Sequence, residues 1–177
     1  MLHRVLAPAI LLLAATAAAA TQFQSGDWAA AKMGNRCFVY TERAAPDTSG
    51  TLIFSFDVKG FNAAFQYEYT PWPGETDAPW DEEDAVVLEV DGSALWLGDE
   101  MFTGYGAGGY VAEMTAGFVP EMLLNTMSAA QSVTVALDRV LLGETWVYGV
   151  FSISGFREAL ARAAEWCSFD PRNLPRS

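Results

Sequence analysis

Six carboxylates fall within ten residues of this sequence: Glu75, Asp77, Asp81, Glu82, Glu83 and Asp84, grouped around Trp80 and preceded by Trp72. Clustered carboxylate oxygens suit a hard cation such as calcium, with Asp81, Glu83 and Asp84 the candidate ligands. The spacing is not that of an EF-hand, which alternates acids around a central glycine and ends on a distal glutamate. A second chemistry is a sugar platform, in which an indole face stacks on a pyranose and carboxylates accept its hydroxyls. Two of these acids could then act as a glycosidase pair. The plainest reading is a solvated acidic loop whose tryptophans fold back on the domain.

Other chemistry is excluded by what the chain lacks. His3 is the only histidine, and it lies in an N-terminal stretch that reads as a leader. Without it the chain has no imidazole for a Ser-His-Asp or Cys-His system or for a histidine-ligated zinc or copper. The glycine-rich run from Gly104 to Gly109 is not followed by the Lys-Ser/Thr pair of a phosphate-binding loop, so it reads as a connection. Met122 and Met127 fall on a helical stripe and read as core. We therefore expect no enzyme and no cofactor.

Residues 1–20 have the three parts of an export signal: Arg4, an apolar run over residues 7–15, and Ala18-Ala19-Ala20 before Thr21. The run is shorter than the roughly 20 residues that span a bilayer. Cleavage is expected after Ala20, giving a periplasmic or secreted protein with no membrane-inserted segment. Losing Arg4 leaves nine basic residues against 22 acidic ones, a net charge of −13. Such a chain is repelled by phosphate backbones, which argues against nucleic acid as a partner. Basic faces and cations remain compatible with it. Cys37 and Cys167 are the only cysteines, and in an oxidising compartment two such residues pair. Closing their loop of 130 residues contributes roughly 5 kcal/mol by chain entropy.

The elements that must position these groups follow from periodicity. Leu52, Phe54, Phe56 and Val58 alternate as one strand face, and Phe65, Tyr67 and Tyr69 as another. Val86, Leu88 and Val90 run into Asp91-Gly92, a two-residue hairpin signal, with Leu95 and Leu97 on the return arm. Val119, Met122, Leu123, Thr126, Met127 and Ala130 recur at helical spacing behind Pro120 and Glu121. Val133, Val135 and Leu137 alternate again, and residues 138–143 turn. Val147, Gly149, Phe151 and Ile153 then make a buried strand face. Ser154 is the expected N-cap of a last helix, which puts Phe156 and Cys167 on one inward face. The pattern predicts one mainly β domain over residues 21–170, an immunoglobulin-like β-sandwich with two short helices, one C-terminal, and a frayed tail over residues 171–177.

Several of these residues resemble a known family, the invasion-associated locus B proteins. The resemblance rests on Gly26-Asp27-Trp28, on Cys37-Phe38-Val39-Tyr40, on the hairpin from Val86 to Leu97, and on the helix holding Met122 and Met127. It closes on Phe151-Ser152-Ile153-Ser154-Gly155-Phe156-Arg157-Glu158-Ala159-Leu160 with the final Cys167. The family's usual Ser-x-Pro after the first strand is here Thr41-Glu42-Arg43. The resemblance implies an exported, non-enzymatic β-sandwich without catalytic residues, whose relatives are linked to host-cell entry. The loop holding Trp72 and Trp80 is then the first candidate contact with an envelope or host partner.

Overall fold

The computed structural model describes residues 21–44, 49–70, 84–97, 102–105, 110–115 and 118–175. Its strands, in chain order, are β1 (Thr21–Ser25), β2 (Trp28–Met33), β3 (Arg36–Ala44), β4 (Ser49–Asp57), β5 (Ala64–Thr70), β6 (Ala85–Val90), β7 (Ser93–Leu97), β8 (Phe102–Tyr105), β9 (Tyr110–Thr115), β10 (Ser132–Arg139) and β11 (Glu144–Ser152). The helices are α1 (Val119–Ser128) and α2 (Phe156–Cys167). One antiparallel sheet has the order β1-β2-β3-β4-β5-β9-β8, the other β11-β10-β6-β7. The architecture is the mainly β, two-sheet arrangement with two helices that the periodicity predicts.

Turn chemistry explains the meander. Ser25 pairs with Trp28 across Gly26-Asp27, and Met33 with Arg36 across Gly34-Asn35, so each hairpin closes in two residues. Asp91 and Gly92 both take positive φ, 52° and 80°, as a type I′ hairpin requires. The Asp91 carboxylate also accepts the backbone N–H groups of Ala130, Gln131 and Ser132 at 2.8–3.0 Å, which ties the end of α1 to this turn.

The core lies on one face of the larger sheet. Trp28, Val39, Leu52, Phe54, Phe56, Phe65 and Tyr67 present that face and are fully buried. α2 covers β2 and β3 with Phe156, Ala159, Leu160 and Ala163, and the Phe156 ring meets Trp28 edge-on at 4.6 Å. Beside it β11 crosses β3 and β4, putting Phe151 edge-on against Tyr67 at 6.2 Å and Tyr148 against Tyr69 at 5.7 Å. Lys32, on the core face of β2, donates to the Trp166 carbonyl at 2.8 Å. It thereby supplies the positive charge that the last turn of α2 lacks.

Several expectations need correction. Val147 is 60% exposed, because a bulge opposite Val135 and Ala136 shifts the register and buries Tyr148 with Gly149 instead. Ser154 does not cap α2; the N-cap is Gly155 at φ 88°, and the Ser154 carbonyl accepts from Asp27 N–H. Ala130 lies beyond α1 and is exposed, while Ala129 is buried. β10 is buried at Thr134 and Ala136 as well as at the alternating valines, so both its faces are covered. Gly104 and Tyr105 belong to β8, and residues 106–109 lie outside the described residues. The tail does not splay from the domain as far as it is described: Phe169 stacks on Phe56 at 4.5 Å and Leu174 packs on the core. A strand that the alternation does not reveal, β1, precedes residues 26–28.

Candidate functional site

Trp72, Glu75, Asp77, Trp80, Asp81, Glu82 and Glu83 lie outside the described residues. Asp84, the last of the acids, is described, and it is engaged. Its Oδ2 sits 2.6 Å from Arg139 Nε, with side-chain exposures of only 1% and 12%. The Arg139 guanidinium also lies over the Trp146 ring, 4.5 Å from its centroid. A carboxylate paired with an arginine this little exposed is a poor hard-cation ligand at Asp84; Asp81 and Glu83, the other candidate calcium ligands, lie outside the described residues. Among the described residues no group of three or more acids or cysteines is placed to hold a metal.

The motifs near the two ends of the domain meet each other. Trp28 Nε1 donates to the Ser152 carbonyl at 2.7 Å, and Asp27 N–H to the Ser154 carbonyl at 2.9 Å. Gly155 lies so close to the β1–β2 turn that an added Cβ would fall 1.8 Å from the Ser25 carbonyl oxygen. Cys37 and Cys167 form the expected disulfide, with Cα atoms 6.2 Å apart. Residues 26–28 and 152–156 are therefore a brace, held by the Trp28 indole, the Asp27 backbone N–H and the close approach of Gly155 to Ser25.

Beside the brace, the ends of β1 and β3 leave two adjoining depressions of about 280 and 320 Å³ that share Gln24, Asp27, Thr41 and Glu42. Thr41 Oγ1 donates to the Asp27 carbonyl at 2.6 Å. The lining offers hydrogen-bonding groups and two carboxylates but no imidazole, thiol or cation. Burial, reinforced by Tyr148 and Tyr69, pushes the Tyr67 phenol well above its ordinary range, so it stays neutral.

The surface feature that sequence reasoning missed is the hairpin of β10 and β11. Arg139 pairs with Glu144 across the loop Val140-Leu141-Leu142-Gly143, where Gly143 takes φ 66°. Val140, Leu141 and Leu142 are 60%, 70% and 55% exposed, and Trp146, Val147 and Val150 continue the apolar strip along β11. Six of the ten exposed large hydrophobics among the residues whose side chains are described stand on this one hairpin. A concentration of that kind marks a contact surface more often than isolated exposed leucines do. The signal is present in the sequence: three aliphatics occupy a turn, where polar residues are the rule.

Fold and surface together define a disulfide-braced, mainly β domain whose most unusual described surface is the apolar strip of the β10–β11 hairpin. No family model, no curated protein and no solved structure matches the chain.

Proposed function

We propose that the protein is exported, loses residues 1–20 at a cut after Ala20, and acts in the periplasm or outside the cell as a non-enzymatic binding protein of the invasion-associated locus B kind. It meets an envelope or host partner through a surface, and the β10–β11 hairpin is the centre of that surface. The exposed strip from Val140 to Val150 is the observation that supports this reading. The disulfide between Cys37 and Cys167 fits an oxidising compartment.

The test is binding of labelled protein, without residues 1–20, to envelope preparations and host cells, using Leu141→Asp with Val147→Asp. Both positions are exposed, so the variant should fold as the parent does. Binding should fall about tenfold, as when one well-placed apolar side chain is removed from an interface. Undiminished binding by a folded variant removes the hairpin from the proposed role. Melting temperatures unmoved by calcium, chelator or a glycan panel would separate this reading from a cation-dependent module or a sugar platform.

A further inference from the structure

Resting on that reading, we infer that β11 accepts, as an added strand, an extended apolar segment with basic residues at its ends, contributed by another protein. Among the described residues β11 has a neighbour on one side only, β10, and it ends the order of its sheet. Its last residues are engaged, since the Ser152 carbonyl accepts from Trp28. The open run is therefore residues 144–150, about 23 Å of strand at 3.3 Å per residue, with the bulge at Tyr148 inside it. A strand edge of that length presents a row of backbone donors and acceptors that another extended chain can satisfy.

Edges are ordinarily guarded by lysine, proline, inward-pointing charge or a bulge, and of these β11 carries only the bulge, at Tyr148. Residues 140–150 contain no lysine and no proline, and Glu144 is their only charge. The bulge opposite Val135 and Ala136 turns Val147 outward, where with Val150 it offers an apolar strip beside the open edge. Strand addition draws affinity from the main chain and specificity from alternate side chains, and this edge offers both.

Charge selects the occupant. The chain carries a net charge of −12 with the leader and −13 without Arg4. Asp138 and Glu144 stand at the mouth of the hairpin, next to the apolar strip. A second copy would bring an equally acidic body against the first, whereas a basic segment is drawn in by the same field. A bilayer would take the loop at Val140, Leu141 and Leu142, but the exposed strip continues down the strand to Val150.

The probes are designed peptides of about seven residues, a common strand length, with alternating valine and threonine and lysine at both ends. The full chain without its leader should bind the lysine-ended peptide. Glutamate ends, or a central proline that cannot pair, should weaken binding about tenfold or more. Raising salt well above 0.1 M, where the screening length is about 10 Å, should also weaken it. Amide exchange should slow at residues 144–150 on binding, and Val150→Asp should abolish the effect.

Peptide binding that protects amides elsewhere overturns the proposal. So does concentration-dependent self-association blocked by Val150→Asp with no peptide bound, which makes a second copy the occupant. Binding to neutral phosphatidylcholine vesicles through Leu141, again without peptide binding, assigns the surface to a bilayer. If every peptide fails while Leu141→Asp with Val147→Asp still abolishes cell-surface binding, strand addition is wrong and the hairpin contact stands. If both fail, the functional reading falls with it.

Discussion

The two ends of β11 are made for opposite purposes. At the C-terminal end Phe151 is buried against Tyr67, the Ser152 carbonyl takes the Trp28 indole N–H, and the chain turns through Gly155 directly into α2. At the N-terminal end Trp146 and Val147 are 42% and 60% exposed, and the preceding loop presents three aliphatics to solvent. One strand thus joins a region with no freedom to a region with no described cover. The tryptophan, glycines and cysteines that look most like a signature build the immobile end. The residues that look ordinary form the surface.

Changes at the immobile end should be the most damaging. Gly155→Ala would place a methyl 1.8 Å from a backbone oxygen at φ 88°, and no flexible side chain can yield there. A loss above about 4 kcal/mol, or failure to fold, is expected in urea denaturation. Gly34→Ala is the matched control: it has positive φ, 58°, but open space around the added carbon. That change should cost only about 1–2 kcal/mol. Equal losses would show that close approach to Ser25 is not what holds Gly155.

Reducing the disulfide comes next. It releases a loop closed over 130 residues; measured losses usually fall short of the chain-entropy value, so the urea midpoint should drop by the equivalent of about 3 kcal/mol. No thiol should react in the folded, unreduced protein. Stoichiometric labelling of the unreduced, unfolded chain would remove the covalent part of the brace and leave the packing of Phe156 on Trp28 to hold the two ends.

A smaller effect separates the brace from the second tie in the molecule, at Asp91. Three backbone N–H groups, with Ala130 first, hold its carboxyl below the ordinary value of 3.8. A carboxyl whose pKa is lower in the folded than in the unfolded state stabilises the fold above its unfolded pKa. That contribution is lost as pH falls through the folded value. Asp91→Asn keeps a residue that tolerates positive φ but removes the charge. Relative to the parent, the variant should lose stability at neutral pH, and the gap should close as pH is lowered below about 4. A gap that persists at acid pH would mean that the turn conformation, rather than the carboxylate, makes the tie.

Much of this architecture is legible without coordinates. Alternation at Leu52 to Phe56 and at Phe65 to Tyr69, helical spacing at Phe156 to Cys167, and the isolated cysteine pair point to strands, helix and brace, because burial of one face leaves a period in the sequence; Val58, read on the first of these faces, instead lies past the end of β4 and is exposed. Strand order is not legible, since alternation sets a strand's faces and not its neighbours. β11 departs from its alternation at Val147 because a bulge inserts one residue and reverses every face beyond it. Asp91 reads as a turn former alone, because its three N–H partners come from forty residues away. Residues 138–143 read as an ordinary turn, although the aliphatics at 140–142 are the anomaly.

The smallest stability effect is expected where the largest functional one is proposed. Leu141 is 70% exposed at the hairpin loop, so Leu141→Asp forfeits little buried area. It should shift stability by no more than about 0.5 kcal/mol. Its thermal midpoint should match the parent's while binding falls. The comparison depends on that separation. If Leu141→Asp destabilised the domain as a core substitution does, the loop would be packed in solution against another part of the chain. The exposed end of β11 would then be a second brace, and the contact surface would have to be sought at the cleft bounded by Asp27 and Glu42.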